Sequence, residues 1–129
     1  ARHRGETIVR LRGDVGIVRR DGRTEDMDSG SEAGLVDLLH DVVGDLNAPD
    51  IYFPHAASST AYLTNGKRIG IKSEKIFAEV FPRYGNVVSA SIPLGMHLAL
   101  QENRLKRGDD VVLCPASAGM VYGVVKFKY

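Results

Sequence analysis

The sequence predicts an α/β fold built on a mixed sheet, and three observations support this class. Short runs of β-branched and aromatic residues, typical of strands, occur at 51–53, 110–115 and 120–127. Segments with apolar residues at helical spacing lie between such runs. The last two runs are joined by a turn of small residues, which predicts a C-terminal hairpin. With 129 residues the chain has the size of one domain, and we expect a single unit over residues 1–129.

The first third of the chain predicts two strands and one helix. Apolar and polar residues alternate over 7–11, and a second apolar run follows at 15–18, so we expect a strand, a tight turn and a second strand. A polar loop over 20–30 comes next. Apolar residues then recur at helical spacing over 35–46, with aspartates on the opposite face. This pattern predicts an amphipathic helix.

The middle of the chain predicts a buried strand followed by a short helix. The strand at 51–53 is apolar and aromatic. The helix is expected over 56–65, because Ser58 or Ser59 can cap its first turn and Gly66 can close it.

Residues 76–80 predict another buried strand, and the longest apolar segment follows it. From 87 to 100 only small polar residues, a proline, a glycine and a histidine interrupt the apolar side chains. A helix that is apolar around most of its circumference is usually buried on all sides. We therefore expect a central helix with Asn86 at its buried N-terminus, where backbone N–H groups favour negative charge. One sheet cannot cover such a helix, so a permanent partner is expected.

Composition limits the classes of function. The net charge is +1, although arginines concentrate before residue 24 and acidic residues over 25–50. A solvated basic strand is the favoured interpretation of the arginines, so we do not expect nucleic acid as a partner. We also expect no membrane partner, because no apolar run is long enough to span a membrane, and no signal peptide is expected. The single cysteine, Cys114, excludes an internal disulfide and a cysteine metal cluster. We expect no metal and a reducing, cytoplasmic setting.

Two polar residues are candidates for chemistry. His55 follows the predicted strand directly after Pro54, and Asn86 follows the next one, at strand exits where α/β folds place ligand sites. Taken alone, a histidine after a proline is more often structural, and an asparagine after a glycine is more often a helix cap. The surrounding motifs change this balance.

Three motifs resemble β-ketoacyl synthase III, in that family's order and spacing. They are Pro-His-Ala-Ala-Ser at 54–58, Arg-Tyr-Gly-Asn-Val-Val-Ser-Ala-Ser-Ile-Pro at 83–93, and Gly-Asp-Asp-Val-Val-Leu at 108–113 followed by Ala-Ser-Ala-Gly at 116–119. The resemblance is clear over 50–129 and loose over 1–49. It implies the C-terminal half of a thiolase-like fold, with a mixed sheet, a buried central helix and a C-terminal hairpin.

The resemblance also implies an activity. The family's catalytic histidine and asparagine correspond to His55 and Asn86, which would stabilise an enolate oxygen, whereas the nucleophilic cysteine belongs to a separate N-terminal half. Cys114 is expected to be a small buried residue. The substrates would be acyl thioesters of coenzyme A or of the phosphopantetheine of an acyl carrier protein, with no other cofactor. The assembly would be a homodimer or heteromer of thiolase-fold units in fatty acid or polyketide biosynthesis. The residues expected to border the substrate are Ser58, Ser117, Ala118 and Gly119.

Departures from the family pattern leave two classes of function open. Ala56 and Ser58 replace the usual Gln and Asn, Thr60 replaces a basic residue that helps to dock the carrier protein, and Val87 and Val88 replace smaller residues. The carrier, the acyl acceptor and the decarboxylating step are therefore open. The first class is a condensing enzyme or acyltransferase. The alternative is a non-catalytic thiolase-like subunit that stabilises or regulates a partner. The presence of both polar residues in an apolar setting favours the first.

Overall fold

The structure is a computed structural model that describes residues 8–12, 17–18, 24–25, 32–117 and 121–129, with side chains over 35–116 and 122–129. The strands are β1 (Ile8–Arg12), β2 (Ile17–Val18), β3 (Thr24–Glu25), β4 (Ile51–Pro54), β5 (Asp110–Cys114), β6 (Ala116–Ser117) and β7 (Val121–Lys128). The helices are α1 (Glu32–Val43), α2 (Ser59–Arg68), α3 (Val80–Tyr84) and α4 (Ser91–Gln101). Short 3₁₀ turns occupy Ser73–Lys75 and Val88–Ala90.

The main sheet is mixed, as the sequence predicts. Its order is β1-β7-β5-β4, with β6 also paired to β7. β7 runs antiparallel to both β1 and β5, whereas β4 and β5 are parallel. The register of that parallel pair sets Pro54 opposite Cys114, so both strands end at the same edge of the sheet. His55 leaves the sheet at this edge.

The sheet carries helices on both faces, because side chains alternate along each strand. Tyr52 and Val112 belong to a core cluster with α1, on what we call the α1 face. Their neighbours Phe53 and Val111 belong to a second cluster with α4, on the α4 face. Two separate apolar cores therefore position the edge at which β4 and β5 end.

Several predicted elements are confirmed. The amphipathic helix is α1, the strand after it is β4, and the strands predicted at 110–115 and 120–127 are β5 and β7, which pair antiparallel. The turn predicted over 116–119 instead begins with the short strand β6, which also pairs with β7. The short helix is α2, and its N-cap is Ser58, whose Oγ accepts a hydrogen bond from the Ala61 N–H at 3.2 Å. This helix does not close at Gly66 but continues to Arg68. Gly66 is a packing residue in the helix interior, because a Cβ there would collide with Ile76.

The two strands predicted near the start of the sequence are confirmed as β1 and β2, although they belong to different sheets. β1 pairs with β7, from Ile8 opposite Lys126 onward, and β2 pairs with β3, which lies inside the expected polar loop. β1 forms five residue pairs with β7, a long strand that already belongs to the main sheet. The two-residue strand β2 would offer β1 fewer pairs. The residues between β1 and β2 lie outside the described part of the chain.

The predicted strand at 76–80 is wrong. Ile76 alone makes a parallel bridge, to Tyr52, and helix α3 begins at Val80. A short apolar run does not distinguish a strand from a buried helix start by periodicity.

The central helix begins later than the sequence predicts. Tyr84 ends α3, Gly85 leaves that helix with φ +72°, and α4 starts only at Ser91. Its buried residues form one stripe, Ser91, Gly95, Leu98 and Ala99, rather than a full circumference. Asn86 is exposed and precedes the helix, so its expected place at a buried helix N-terminus is wrong. Within the described ranges no helix combines the length and apolar character needed to cross a membrane.

Candidate active site

His55 is fixed by its backbone at the end of β4. Its N–H donates to the Cys114 carbonyl at 3.0 Å, and its own carbonyl accepts from the Ala57 N–H at 2.9 Å. The first bond extends the β4–β5 pairing by one residue, and the second closes a turn. The side chain is half-buried and lines a small cavity together with Phe77, Val80 and Phe81. The imidazole therefore lies at the strand exit that the sequence indicates, against an apolar wall.

Asn86 is held through its side-chain oxygen. Its Oδ1 accepts a hydrogen bond from the Val88 N–H at 2.9 Å, the geometry of an Asx turn. Within the part of the chain that the structure describes, the Nδ2 amide donates no hydrogen bond. Because the oxygen is anchored, the N–H groups of the amide are the atoms left to bind an acceptor.

Helix α3 connects the two loops. Val80 and Phe81 line the cavity of His55, and the Phe81 carbonyl accepts from the Gly85 N–H at 2.8 Å, immediately before Asn86. Arg83 on the same helix binds Glu102 beyond the end of α4, with 2.6 Å between Nη1 and Oε1. The Glu102 carboxylate raises the pKa of Arg83, which stays charged. Helix α3, a single short helix, therefore separates the loop that contains His55 from the loop that contains Asn86.

Large apolar side chains are exposed beside these loops. The exposed fractions are 37% for Phe81, 55% for Tyr84 and 67% for Val88. Val88 also has φ +53°, a conformation that β-branched residues rarely adopt. Leu100 near the end of α4 is 40% exposed. An apolar surface therefore flanks Asn86.

The remaining predicted site residues have varied positions. Ser58 caps α2 through its Oγ. Ser117 pairs with Val121 in the β6–β7 ladder, whereas Ala118 and Gly119 lie outside the described residues. Burial raises the pKa of the Cys114 thiol to about 12, so this residue stays protonated at neutral pH. A protonated thiol is a poor nucleophile, in keeping with the packing role expected of Cys114.

Sequence reasoning missed Tyr62. This side chain lines the cavity of His55 and also a second, larger cavity of about 390 Å³ between α1 and α2. Tyr62 and Gly66 stand four residues apart on α2, a large residue followed by the smallest one on the same face. Both residues line the larger cavity.

Comparison with known proteins decides the family. Residues 44–129, more than half of the chain, match the family 3-Oxoacyl-[acyl-carrier-protein (ACP)] synthase III C terminal. The chain belongs to this family. The expected resemblance to ketoacyl synthase III is thereby confirmed.

Curated members of the synthase III group show the extent of the similarity. The Beta-ketoacyl-[acyl-carrier-protein] synthase III of Sphingopyxis alaskensis is 33% identical over 120 residues, which cover 90% of this chain and 36% of that protein. The enzyme of the same name from Aquifex aeolicus is 32% identical over 79 residues, covering 61% of this chain and 25% of that protein. The chain therefore spans between a quarter and two fifths of the length of these relatives.

A solved structure confirms the fold. The crystal structure of 3-oxoacyl-[acyl-carrier-protein] synthase III from Aquifex aeolicus superposes with a TM-score of 0.71 at 21% identity, over 95% of this chain and 43% of that one. The chain thus has the predicted thiolase-like fold. At 21% identity the superposition shows that the two chains share a fold and does not show that they share a chemistry.

Proposed function

We propose that this chain supplies two hydrogen-bond donors, His55 and Asn86, to a ketoacyl synthase III-type reaction on acyl thioesters. The observation that carries the proposal is the anchoring of Asn86, whose Oδ1 binds the Val88 N–H and leaves Nδ2 available. The backbone of His55 is fixed at the end of β4 by the bond from its N–H to the Cys114 carbonyl. Membership of the synthase III C-terminal family supports the same roles.

In the proposed reaction an acyl group is first carried by a cysteine of a separate N-terminal half. A second thioester then loses carbon dioxide, or a proton, and becomes an enolate. The enolate carbon attacks the acyl carbonyl, and the cysteine leaves as thiolate. A negative charge develops on the enolate oxygen during this step. An imidazole N–H of His55 and an amide N–H of Asn86 are suited to bind that oxygen, and each such donor typically lowers the barrier by ~3 kcal/mol.

The proposed partners follow from the exposed surface and from the length of the relatives. Phe81, Tyr84, Val88 and Leu100 expose apolar area that a partner could bury, at ~25 cal/mol per Å². We assign this surface to the N-terminal half that carries the cysteine, within a dimer of thiolase-fold units. The acyl groups would arrive on coenzyme A or on the phosphopantetheine of a carrier protein. The proposed setting is fatty acid or polyketide biosynthesis in the cytoplasm.

The test is activity of the complete enzyme that contains this chain and a cysteine-bearing N-terminal half. Acetyl and malonyl thioesters serve as substrates, and thiol release and ketoacyl product are measured. His55→Ala and Asn86→Ala should each lower kcat by about 100-fold or more while the melting temperature stays within a few degrees of wild type.

Asn47→Ala is the matched control for the asparagine. The Asn47 side chain donates to the Gly70 carbonyl at 2.7 Å and accepts from the Lys72 N–H at 3.1 Å, so its role is structural. This variant should lower the melting temperature and leave kcat near the wild-type value. If Asn86→Ala behaves like Asn47→Ala, Asn86 is a structural residue and the proposed function is wrong.

A further inference from the structure

The loop between α3 and α4 holds Asn86 through the backbone of Val88. The Val88 N–H donates to Asn86 Oδ1 at 2.9 Å. The Val88 carbonyl accepts two hydrogen bonds from Ser91, one from its backbone N–H and one from its Oγ at 2.7 Å. The two peptide groups on either side of the Val88 Cα are therefore both fixed, one by the asparagine and the other by the serine.

The conformation of Val88 depends on such support. Its φ is +53°, which valine rarely adopts, and its side chain is 67% exposed, so burial of the side chain does not account for this conformation. Strained backbone persists only where the surrounding contacts determine it strongly. Rotation of Val88 to an ordinary negative φ, with its carbonyl still bound to Ser91, would turn the Val88 N–H away from Asn86 Oδ1. The orientation of the Asn86 amide therefore depends on the left-handed conformation of Val88.

Ser91 is a rigid point of attachment for this loop. Its side chain is 2% exposed and begins the buried stripe of α4. A buried hydroxyl costs free energy unless it is hydrogen-bonded, and among the described residues the Val88 carbonyl is its partner. An alanine would occupy the same place in the stripe, so packing alone does not explain the hydroxyl.

Helix α4 is packed against the elements that position His55. Gly95, one turn after Ser91, lies so close to β4 and α3 that a Cβ there would be 3.3 Å from both Phe53 and Val80. His55 follows β4 directly, and Val80 lines its cavity. Ser91 therefore connects the exposed loop of Asn86 to the same packed elements that hold His55.

We propose that Ser91 is a positioning residue for Asn86. Its hydroxyl holds the Val88 carbonyl, Val88 keeps its left-handed conformation, and the Asn86 oxygen stays bound, so that the Nδ2 amide has one orientation. Ser91 itself does not touch the substrate. Its effect on the reaction rests on the function proposed above. The support that it gives to Val88 does not, and the two can be tested separately.

The first experiment measures amide hydrogen exchange of Val88 in the full chain by NMR. Ser91→Ala should speed this exchange by ~5-fold or more, because the bond from the Val88 N–H to Asn86 opens more often. Ser89→Ala is the matched control, since Ser89 is exposed in the same turn and its hydroxyl makes no hydrogen bond within the described residues. It should leave the exchange unchanged. Unchanged exchange in Ser91→Ala would overturn the proposal.

Two further variants separate the hydroxyl from the packing of α4. Ser91→Cys fills the space of the serine, but a thiol is a weak donor, so this variant should behave like Ser91→Ala. Leu98→Ala weakens the same buried stripe and should lower the melting temperature without changing the local exchange of Val88. If Ser91→Cys restores the wild-type exchange, the volume of the side chain matters rather than its hydrogen bond, and the proposal fails.

The second experiment is a double-mutant cycle on turnover by the complete enzyme. Ser91→Ala should lower kcat for condensation by ~5-fold or more and leave acylation of the cysteine unchanged, because the proposed acylation step does not use Asn86. In the Asn86→Ala background Ser91→Ala should cause no further loss. Equal losses in both backgrounds would show that Ser91 acts on the fold as a whole and would overturn the proposal. If Asn86→Ala alone leaves kcat unchanged, the proposed function fails, and the exchange of Val88 still decides whether Ser91 holds this loop.

Discussion

Val88→Gly should stabilise the protein, although it removes an apolar side chain. Val88 has φ +53°, and a left-handed conformation costs an L-residue ~1–2 kcal/mol. Glycine adopts this conformation freely but loses ~0.5–1 kcal/mol through the greater freedom of its unfolded chain. The side chain is 67% exposed, so little buried area is lost. The net gain in the free energy of unfolding is about 0.5–1 kcal/mol, or roughly 2–4 °C in melting temperature for a domain of this size.

Val87→Gly is the matched control for that substitution. Val87 is the neighbouring valine, but its φ of −96° is ordinary and it packs against the core of the α4 face. Its replacement removes packing without relieving strain, so the melting temperature should fall. Thermal and urea unfolding followed by circular dichroism measure both variants. If Val88→Gly lowers the melting temperature as Val87→Gly does, Val88 is held by contacts that outweigh its backbone strain, and the reasoning is refuted.

Three further predictions concern packing and protonation. Ser58→Ala should cost about 1 kcal/mol of stability in urea unfolding, because α2 loses the cap on the Ala61 N–H, and an unchanged midpoint would show that the cap contributes nothing. Gly66→Ala should destabilise by ~1–3 kcal/mol despite the better helix propensity of alanine, because the new methyl group collides with Ile76, whereas Lys67→Ala on the exposed side should be nearly neutral; a stabilised Gly66 variant would mean that Ile76 moves aside freely. The Cys114 thiol should resist iodoacetamide at pH 8 in the native protein and react readily in urea. Because its folded pKa of about 12 lies above the ordinary thiol value of 9.0, the stability that it contributes is complete below about pH 9 and declines as the pH rises toward 12. Cys114→Ala should remove that part of the alkaline destabilisation, and equal alkaline titration curves of unfolding for both proteins would contradict the assignment.

The parts of the fold that the sequence predicts well are those that local patterns determine. The spacing of leucines and valines in α1 and the apolar runs of β4, β5 and β7 each identify one element. Ser58 also predicts the start of α2. Its cap is a contact with Ala61, only three residues later, so the sequence nearby is enough to indicate it. The same is true of His55, whose position at a strand exit follows from the strand itself.

The parts that it predicts badly depend on residues far apart in the chain. β1 is a recognisable strand, yet its partner β7 lies more than a hundred residues later. The sequence near β1 does not indicate which strand it pairs with. Gly66 has the appearance of a helix terminator until Ile76 is seen to occupy the space above it. The apolar residues after Asn86 predict a helix that begins there, but Gly85 and the turn at Val88–Ala90 delay that helix to Ser91. The amide anchor that supports its proposed role is therefore visible only in three dimensions.

The position of β7 has a consequence for how the protein is made. This strand lies inside the sheet, between β1 and β5, but it follows both of them in the chain and is synthesised after them. Until β7 has been made, β1 lacks the strand that it pairs with in the main sheet, and β5 can pair there only with β4. The central strand of the sheet is then missing. Contacts between residues far apart in a chain form slowly, and unpaired strand edges in the meantime favour aggregation. Deletion of residues 121–129 would remove the strand that joins β1 to the rest of the sheet, a much larger loss than the number of residues removed suggests.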